Sequence, residues 1–272
     1  MDILTGISLL GGIALATAAG AAWWALASGR RRPAMVALPA GIVGVLANVV
    51  YVGWALADHG PVETFRQNEE AALLLASLIS IVAIGTHFTS TLRGLDGFLF
   101  LVAALVDFVG LGTSTPSAGE PRYRPWYVSH GLSFAISSAC LFMSGMSAVA
   151  YLVVHRILRR KKLSLVGRVP SLEALDRFAR WTLAIGFPIF TYGILTGLCG
   201  IAHREDIART SWYWDPSAIS SLLAWFFYAW LCVSLVFRTR LRGRKAAFFT
   251  ACGMVLVAIS YFVVEFGSPI HR

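Results

Sequence analysis

The sequence has few charged residues and few cysteines, and both shortages exclude classes of protein. Only 14% of the residues are charged, whereas 57% are hydrophobic and the mean hydropathy is +0.69. Soluble globular domains carry about a quarter charged residues. The four cysteines stand singly inside apolar runs without C-x-x-C spacing, so the pattern supports neither a thiol redox relay nor a zinc site. We interpret them as small buried apolar residues.

Long apolar runs, in contrast, fill most of the chain. Crossing a bilayer about 30 Å thick takes about 20 apolar residues, and we count eight runs of roughly that length. They are residues 4–28, 34–57, 70–89, 95–113, 127–155, 181–202, 217–237 and 246–266. The first run lacks a basic leader and exceeds a signal-peptide core, so we predict that it is a genuine span. The fold class predicted is all-α, a polytopic membrane helical bundle of about eight transmembrane helices.

Basic residues are concentrated in the loops after the odd-numbered runs. Seventeen of the 23 basic residues follow the first, third, fifth or seventh run. The six on the other side are Arg66, Arg122, Arg124, Arg204, Arg209 and Arg272. The positive-inside rule therefore predicts that both termini lie on the outer side of the membrane. With this distribution the net charge of +9 reports membrane topology and gives no indication of nucleic-acid binding.

Histidine and aromatic residues recur in the loops predicted to lie outside. His130 closes the run Trp126-Tyr127-Val128-Ser129-His130, and His271 is the penultimate residue. The run Trp212-Tyr213-Trp214-Asp215-Pro216 precedes the seventh span. Two imidazoles approaching opposite faces of a flat ring, beside an aromatic shelf, satisfy the requirements of a bis-histidine haem site. The same aromatic run also fits a belt at the membrane surface.

Other polar residues in the spans have plainer interpretations. His87 and His155 fit anchoring at the inner surface, and His59 and His203 fit polar outer loops. Asp107 and Glu265 lie in the outer halves of their spans, where each carboxylate can either hydrogen-bond an axial imidazole or be hydrated from outside. Met143 and Met146 fit core packing. Ser171 is predicted to cap a helix lying on the inner surface before the sixth span.

A series of collinear motifs resembles the cytochrome c assembly family of membrane haem handlers, the CcsA, ResC and CcmC group, and especially its short eight-span, HemX-like members. The matching stretches are Gly60-Pro61, Glu69–Ala76, Trp126–Ala135, Pro170–Arg177, Gly186-Phe187-Pro188, Thr191–Gly197, Trp212–Pro216 and the last span through His271. The resemblance covers about residues 60–271. It implies two units, residues 1–58 with two transmembrane helices and residues 59–272 as a haem-handling membrane domain.

The resemblance also implies a function and a set of site residues. His130 and His271 match the two outer axial ligands of haem b, and Trp212, Trp214 and Asp215 match the end of the tryptophan-rich haem-presenting motif. A member of this family presents haem for covalent attachment to an apocytochrome c. It would do so as a component of a haem-attachment complex with a ResB-type membrane partner, in the inner (plasma) membrane.

The chain departs from the family pattern at three places. Ala208–Ser211 stands where typical members open the motif with Trp-Gly, and Ser217-Ala218-Ile219 follows where they have Lys-Glu. Leu231–Ser234 contains none of the histidine that many members carry down this helix. The departures leave a second interpretation open, a HemX-like membrane regulator of tetrapyrrole synthesis. A third is a small-solute transporter with an outer aromatic cleft.

Overall fold

The computed structural model describes residues 3–29, 31–58, 60, 68–112, 125–160, 169–202, 212–237 and 241–267. Within these ranges the chain forms eight long α-helices and no strand. The helices are α1 (Ile3–Ser28), α2 (Arg31–Asp58), α3 (Asn68–His87), α4 (Asp96–Gly112), α5 (Pro125–Arg159), α6 (Leu172–Ala202), α7 (Pro216–Cys232) and α8 (Gly243–Gly267). They correspond one to one with the eight predicted runs, so the predicted helical bundle is confirmed.

Seven of the eight helices are long and apolar enough to cross a membrane. The exception, α4, has 17 residues, and at about 1.5 Å per residue it is still roughly 25 Å long. Large apolar side chains are exposed around the bundle, as expected where lipid is the solvent, including Trp24, Leu105, Leu223, Phe226 and Val255. The chain is a multi-pass membrane protein.

Consecutive helices run in opposite directions, so the bundle has two distinct ends. His87 at the end of α3 contacts Asp96 at the start of α4, and Ser171 beside the start of α6 donates its backbone N–H to Thr91 at 3.1 Å. These residues define the His87 end. The opposite end, where α3, α5 and α7 begin, is called the His130 end. Candidate ligands on different helices can meet only if they share one of these ends.

One continuous core joins the two halves of the chain. Leu75, Ile79 and Phe100 of the first four helices belong to the same buried cluster as Leu141 and Tyr228 of the last four. Leu15 of α1 is part of this cluster too. The described part of the chain is therefore held by shared packing between α1–α4 and α5–α8.

The sixth span begins earlier than predicted. Ser171 caps the helix as expected, because its hydroxyl accepts the backbone N–H of Ala174 at 3.1 Å. The helix then continues without a break from Leu172 to Ala202, so the prediction of a separate surface helix is wrong. Between residues 172 and 185 the sequence contains no proline or glycine to interrupt it, and the Arg180–Asp176 ion pair spans one helical turn.

The cysteine prediction is confirmed only in part. None of the four cysteines forms a disulfide. Cys232 is buried, but Cys199 is exposed near the end of α6. Met143 and Met146 are buried in the core, as predicted.

Candidate functional site

His130 lies in the second turn of α5, with its ring held against α6. Its Nδ1 is 2.8 Å from the backbone carbonyl oxygen of Gly193, so Nδ1 carries the proton and donates the hydrogen bond. This contact fixes the ring orientation and leaves Nε2 with a lone pair. Histidines that bind metals characteristically donate the other ring N–H to a carbonyl or a carboxylate. His130 is therefore in the tautomer that a haem ligand needs.

Two glycines of α6 allow α5 to pack closely here, Gly197 against the imidazole and Gly193 against Ser133 and Phe134. A Cβ atom on Gly197 would lie 2.8 Å from Cε1 of His130, and one on Gly193 would lie 3.0 Å from Oγ of Ser133. Any larger residue at position 197 would collide with the ring. The spacing of four residues puts both glycines on one face of α6, which permits close helix approach within a membrane. The motif Thr191–Gly197 thus contains the residues against which His130 packs. This role was not predicted from the sequence, although the spacing of the small residues was visible.

Aromatic residues cover the deeper side of His130. Its ring centroid is 5.1 Å from that of Phe134, and Phe134 in turn meets Phe190 of α6 edge-on at 5.4 Å. These contacts restrict the orientation of the imidazole ring on the side of Phe134. The His130 residue remains partly accessible.

The Trp212–Trp214 run forms a short 3-10 turn at the start of α7, at the same end of the bundle as His130. Tyr213 and Trp214 have 58% and 71% of their surfaces exposed, and their ring centroids are 6.0 Å apart. The side chain of Trp212 is outside the described residues. At this position the exposed rings form an amphipathic surface, which fits both a ligand shelf and an interfacial belt.

Asp215 is buried and performs a structural task. Its carboxylate accepts hydrogen bonds from the backbone N–H of Ser217, at 2.8 Å, and from the Ser217 hydroxyl. It is the N-cap of α7, and Pro216 follows at the first helical position, where proline is favoured. The Asp-Pro pair therefore fixes where the aromatic run ends and α7 begins.

Helix α7 is in turn fixed to its neighbours. Trp225 Nε1 donates to Thr191 Oγ1 on α6 at 3.0 Å, and the Ser260 hydroxyl on α8 donates to the carbonyl of Ser220 at 3.1 Å. Thr191 is two residues from Gly193, the partner of His130. A short series of contacts thus connects the helix that follows the aromatic run to the helix that seats the imidazole.

The second predicted ligand, His271, lies outside the described residues, as do His59 and His203. Helix α8 ends at Gly267, at the His130 end of the bundle, four residues before His271. The side chain of Glu265 is also outside the described part. His87 and His155 lie toward the opposite end, and His155 stacks on Tyr151 with centroids 6.2 Å apart.

Asp107 does not contact a histidine among the described residues. Its Oδ2 accepts a hydrogen bond from Asn48 Nδ2 at 2.9 Å, whereas the partner of the His130 imidazole is a backbone carbonyl. The predicted carboxylate–imidazole contact is found instead at the other end, where His87 Nδ1 is 2.7 Å from Asp96 Oδ2.

Comparison with known proteins identifies similar sequences over most of the chain. The family model for cytochrome c assembly proteins matches residues 42–271. A cytochrome c biogenesis protein CcsA from Guillardia theta is 26% identical over 64% of this chain and 66% of its own length. Those of Parasynechococcus marenigrum and a Synechococcus strain are each 24% identical over 97% of this chain and 93% and 94% of their own lengths.

No solved structure gives a significant match. The family model nevertheless covers all the helices that build the His130 end except α1 and the first part of α2. The chain belongs to the cytochrome c assembly protein family.

Proposed function

We propose that this protein acts in cytochrome c maturation, binding haem b at the His130 end and presenting it for covalent attachment to an apocytochrome c. The observation that carries the proposal is the His130 imidazole, whose Nδ1 is bound to Gly193 O while its Nε2 remains available. The missing side chain of Gly197 leaves the space in which the ring lies. The family relationship supports the same role.

Each of the proposed site residues has a separate role. His130 Nε2 and an imidazole nitrogen of His271 are the proposed ligands that would hold the haem iron. Trp212 and Trp214 support the flat ligand, and Asp215 acts by capping α7 and so fixing the position of this aromatic run. Haem, when bound, supplies the vinyl groups that react with the cysteine thiols of an apocytochrome.

The chain itself contains no C-x-x-C-H acceptor motif, so the proposed apocytochrome c is a separate molecule. A ResB-type membrane partner is proposed to bring that molecule to the His130 end. By the positive-inside rule this end faces outward from the inner (plasma) membrane, with both termini outside. Reporter fusions at residue 272 test the orientation, and cytoplasmic activity of the fused reporter would contradict it.

The visible absorption spectrum of the purified protein tests the site. We expect a Soret band with sharp bands in the reduced state for the unmodified protein, and loss or displacement of these bands in both His130→Ala and His271→Ala. His155→Ala is the matched control, because it removes an imidazole toward the opposite end and should leave the spectrum unchanged. Added imidazole should restore the bands of His130→Gly by replacing the missing ligand.

Two results would contradict the proposal. One is a protein that stays colourless after haem is supplied, in which case the aromatic run is an interfacial belt. The other is a spectrum unaffected by either substitution. Deleting the gene then tests the cellular role: we expect loss of covalent haem from c-type cytochromes. Normal cytochromes with altered levels of haem precursors would instead indicate a HemX-like regulator.

A further inference from the structure

A second polar site lies between the first four helices, in the His130 half of the bundle. Asn48 of α2 and Asp107 of α4 form a hydrogen-bonded pair, with Nδ2 to Oδ2 at 2.9 Å, and neither residue is exposed to solvent. Gly11 of α1 lies against the pair, because a Cβ there would be 2.1 Å from Asn48 Oδ1 and 3.5 Å from Asp107 Oδ2. Three helices therefore enclose one carboxyl and one amide.

This pair is left with two unused oxygen atoms. Among the described residues neither Asp107 Oδ1 nor Asn48 Oδ1 has a hydrogen-bond partner, and the same holds for the buried hydroxyl of Ser8, one turn before Gly11 on α1. A buried polar atom without a partner costs about 1–3 kcal/mol, and a buried unpaired charge costs more. An ionised Asp107 would combine both penalties.

The surroundings bring no positive charge to compensate it. In the described residues of α1 to α4, the His130 halves contain no Lys, Arg or His. They contain instead two further buried carboxyls, Glu69 and Glu70 at the start of α3. The hydroxyls of Ser8 and Tyr51 lie next to Glu69.

Helix α5 also packs on α4. The basic side chain that it carries in this half is His130, which lies against Gly193 and Gly197 of α6. Among the described residues Asp107 therefore faces only neutral groups and like charges, so a bound cation is the remaining source of compensation within this part of the chain.

We propose that Asp107 is a proton-binding site within the membrane-spanning bundle. A proton on Oδ1 removes the negative charge and converts this oxygen into a donor. Asn48 Oδ1, in the same side-chain pair, is the acceptor that lacks a donor. A single proton thus removes the charge and leaves a buried donor in a pair that also holds a free acceptor. A metal ion fits less well, because the described His, Cys, Asp and Glu side chains include no group of three that could hold one.

Glu69 provides the route by which this proton exchanges with the His130 end. A Cβ on Gly110, one helical turn beyond Asp107, would lie 3.5 Å from the backbone oxygen of Glu69, so Glu69 lies closer to the helix ends than Asp107 does. In each exchange the O–H bond of Asp107 breaks and an O–H bond forms on the Glu69 carboxylate. The reverse transfer reloads the site, and no other reactant is consumed.

Infrared spectroscopy of the full-length protein in detergent tests the proposal directly, since a protonated carboxyl has a C=O stretching band separate from that of a carboxylate. At neutral pH we expect a buried-carboxyl band that shifts on labelling with [13C]aspartate but not with [13C]glutamate. The band should be lost in Asp107→Asn. It should persist in Glu173→Gln, the matched control, which removes a carboxyl at an exposed position of α6.

The labelling experiment needs no substitution, so it can overturn the proposal even if Asp107→Asn fails to fold. Absence of an aspartate-derived band in the unmodified protein overturns the proposal, as does a band that survives in folded Asp107→Asn. A band that disappears when sodium replaces choline in the buffer overturns it in favour of a metal cation. Glu69→Gln should slow the exchange of the band into D2O, and an unchanged exchange rate would overturn the proposed route. These readouts do not involve haem, so they are independent of the proposed ligand role of His130.

Discussion

The two halves of the bundle satisfy their buried polar groups in different ways. In α5–α8, side chains donate across helix interfaces to backbone carbonyls: His130 to Gly193, Ser144 to Ala179 and Ser147 to Leu175. In α1–α4, carboxylates contact other side chains: Asp107 with Asn48 and Asp96 with His87.

The difference affects what each half can bind. A helical carbonyl already accepts one hydrogen bond within its own helix, so an added donor leaves no new buried charge. His130 can therefore be oriented as a neutral imidazole with one nitrogen open. A buried carboxylate, in contrast, needs an opposite charge or a proton. The second half is thus suited to holding a ligand by a neutral nitrogen, and the first to holding a proton.

The largest effect is expected from Gly197→Ala, because the added methyl group would fill the space that the His130 imidazole occupies. The added Cβ would lie 2.8 Å from His130 Cε1, so the ring must leave its position. Overpacking of this kind costs about 1–3 kcal/mol. We expect the haem absorption bands to weaken at least about tenfold at equal haem supply, as a displacement worth more than about 1.4 kcal/mol implies.

Gly200→Ala is the control for this prediction. It makes the same substitution on the same helix, three residues later, where a Cβ would meet nothing within 4 Å. Its spectrum and thermal stability should remain close to those of the unmodified protein. Equal behaviour of the two variants would show that contact with Gly197 does not position His130.

Asn48→Ala is expected to give the next largest effect, in the first half. It leaves Asp107 without its amide donor and should destabilise the protein by about 1–3 kcal/mol. Thermal unfolding in detergent measures the loss. The double variant with Asp107→Ala should lose less than the sum of the two single variants, because the two side chains depend on each other. Strict additivity would show that the pair is not coupled.

Arg180→Ala tests a contact between a side chain and a backbone carbonyl at the His87 end. Arg180 NH1 donates to the carbonyl of Leu235 at 2.6 Å, and Nε pairs with Asp176 at 2.9 Å, so the side chain joins α6 to the π-helical turn Val233–Phe237 after α7. We expect a loss of about 2 kcal/mol, as for a hydrogen bond from a charged donor.

Arg177→Ala is the matched control, because it removes an arginine from the preceding turn of α6. Its partner is Glu173 at 2.7 Å, but both side chains are mostly exposed. An exposed pair of this kind contributes about 0.5 kcal/mol or less. If the two arginine variants unfold at the same temperature, the contact with the Leu235 carbonyl contributes nothing measurable.

A smaller effect than that of Arg180→Ala should follow from Asp215→Ala, which removes the cap of α7. Loss of an N-cap costs about 1 kcal/mol, and Asp215→Asn should restore most of it because asparagine caps equally well. Comparing the haem spectra of the two variants separates capping from charge. Recovery of both stability and spectrum in Asp215→Asn indicates that Asp215 only positions the aromatic run. Recovery of stability alone would assign a further role to its charge.

Most of the fold was predictable from the lengths of the apolar runs, since a membrane span requires a length that few other structures produce. The start of α6 was missed because the nine residues before the predicted span, 172–180, are polar enough to suggest a separate surface helix. Their polarity is instead accommodated by the Glu173–Arg177 and Asp176–Arg180 pairs, which support one continuous helix.

The candidate site was predictable only in its residue types. The importance of His130 followed from its place beside Trp126 and Tyr127, but its hydrogen-bond partner is 63 residues away in sequence. For Asp107 the sequence left open a hydrogen bond to an axial imidazole and hydration from outside, and its partner in the structure is Asn48, because helix order does not show which helices pack together. Asp215 was predictable as a cap, since aspartate followed by proline is typical of a helix start.

The sequence by itself determined that this chain is a membrane-spanning bundle of alternating helices, because bilayer thickness and the cost of unpaired backbone groups leave few alternatives. It also determined which residues reach each end, since helix length fixes where every turn emerges. Only the tertiary structure decided two of the partners, Gly193 for His130 and Asn48 for Asp107. Both lie on another helix, and which helix faces a given side chain depends on packing that no local pattern encodes. That choice leaves His130 with an available nitrogen and Asp107 with an unpaired oxygen.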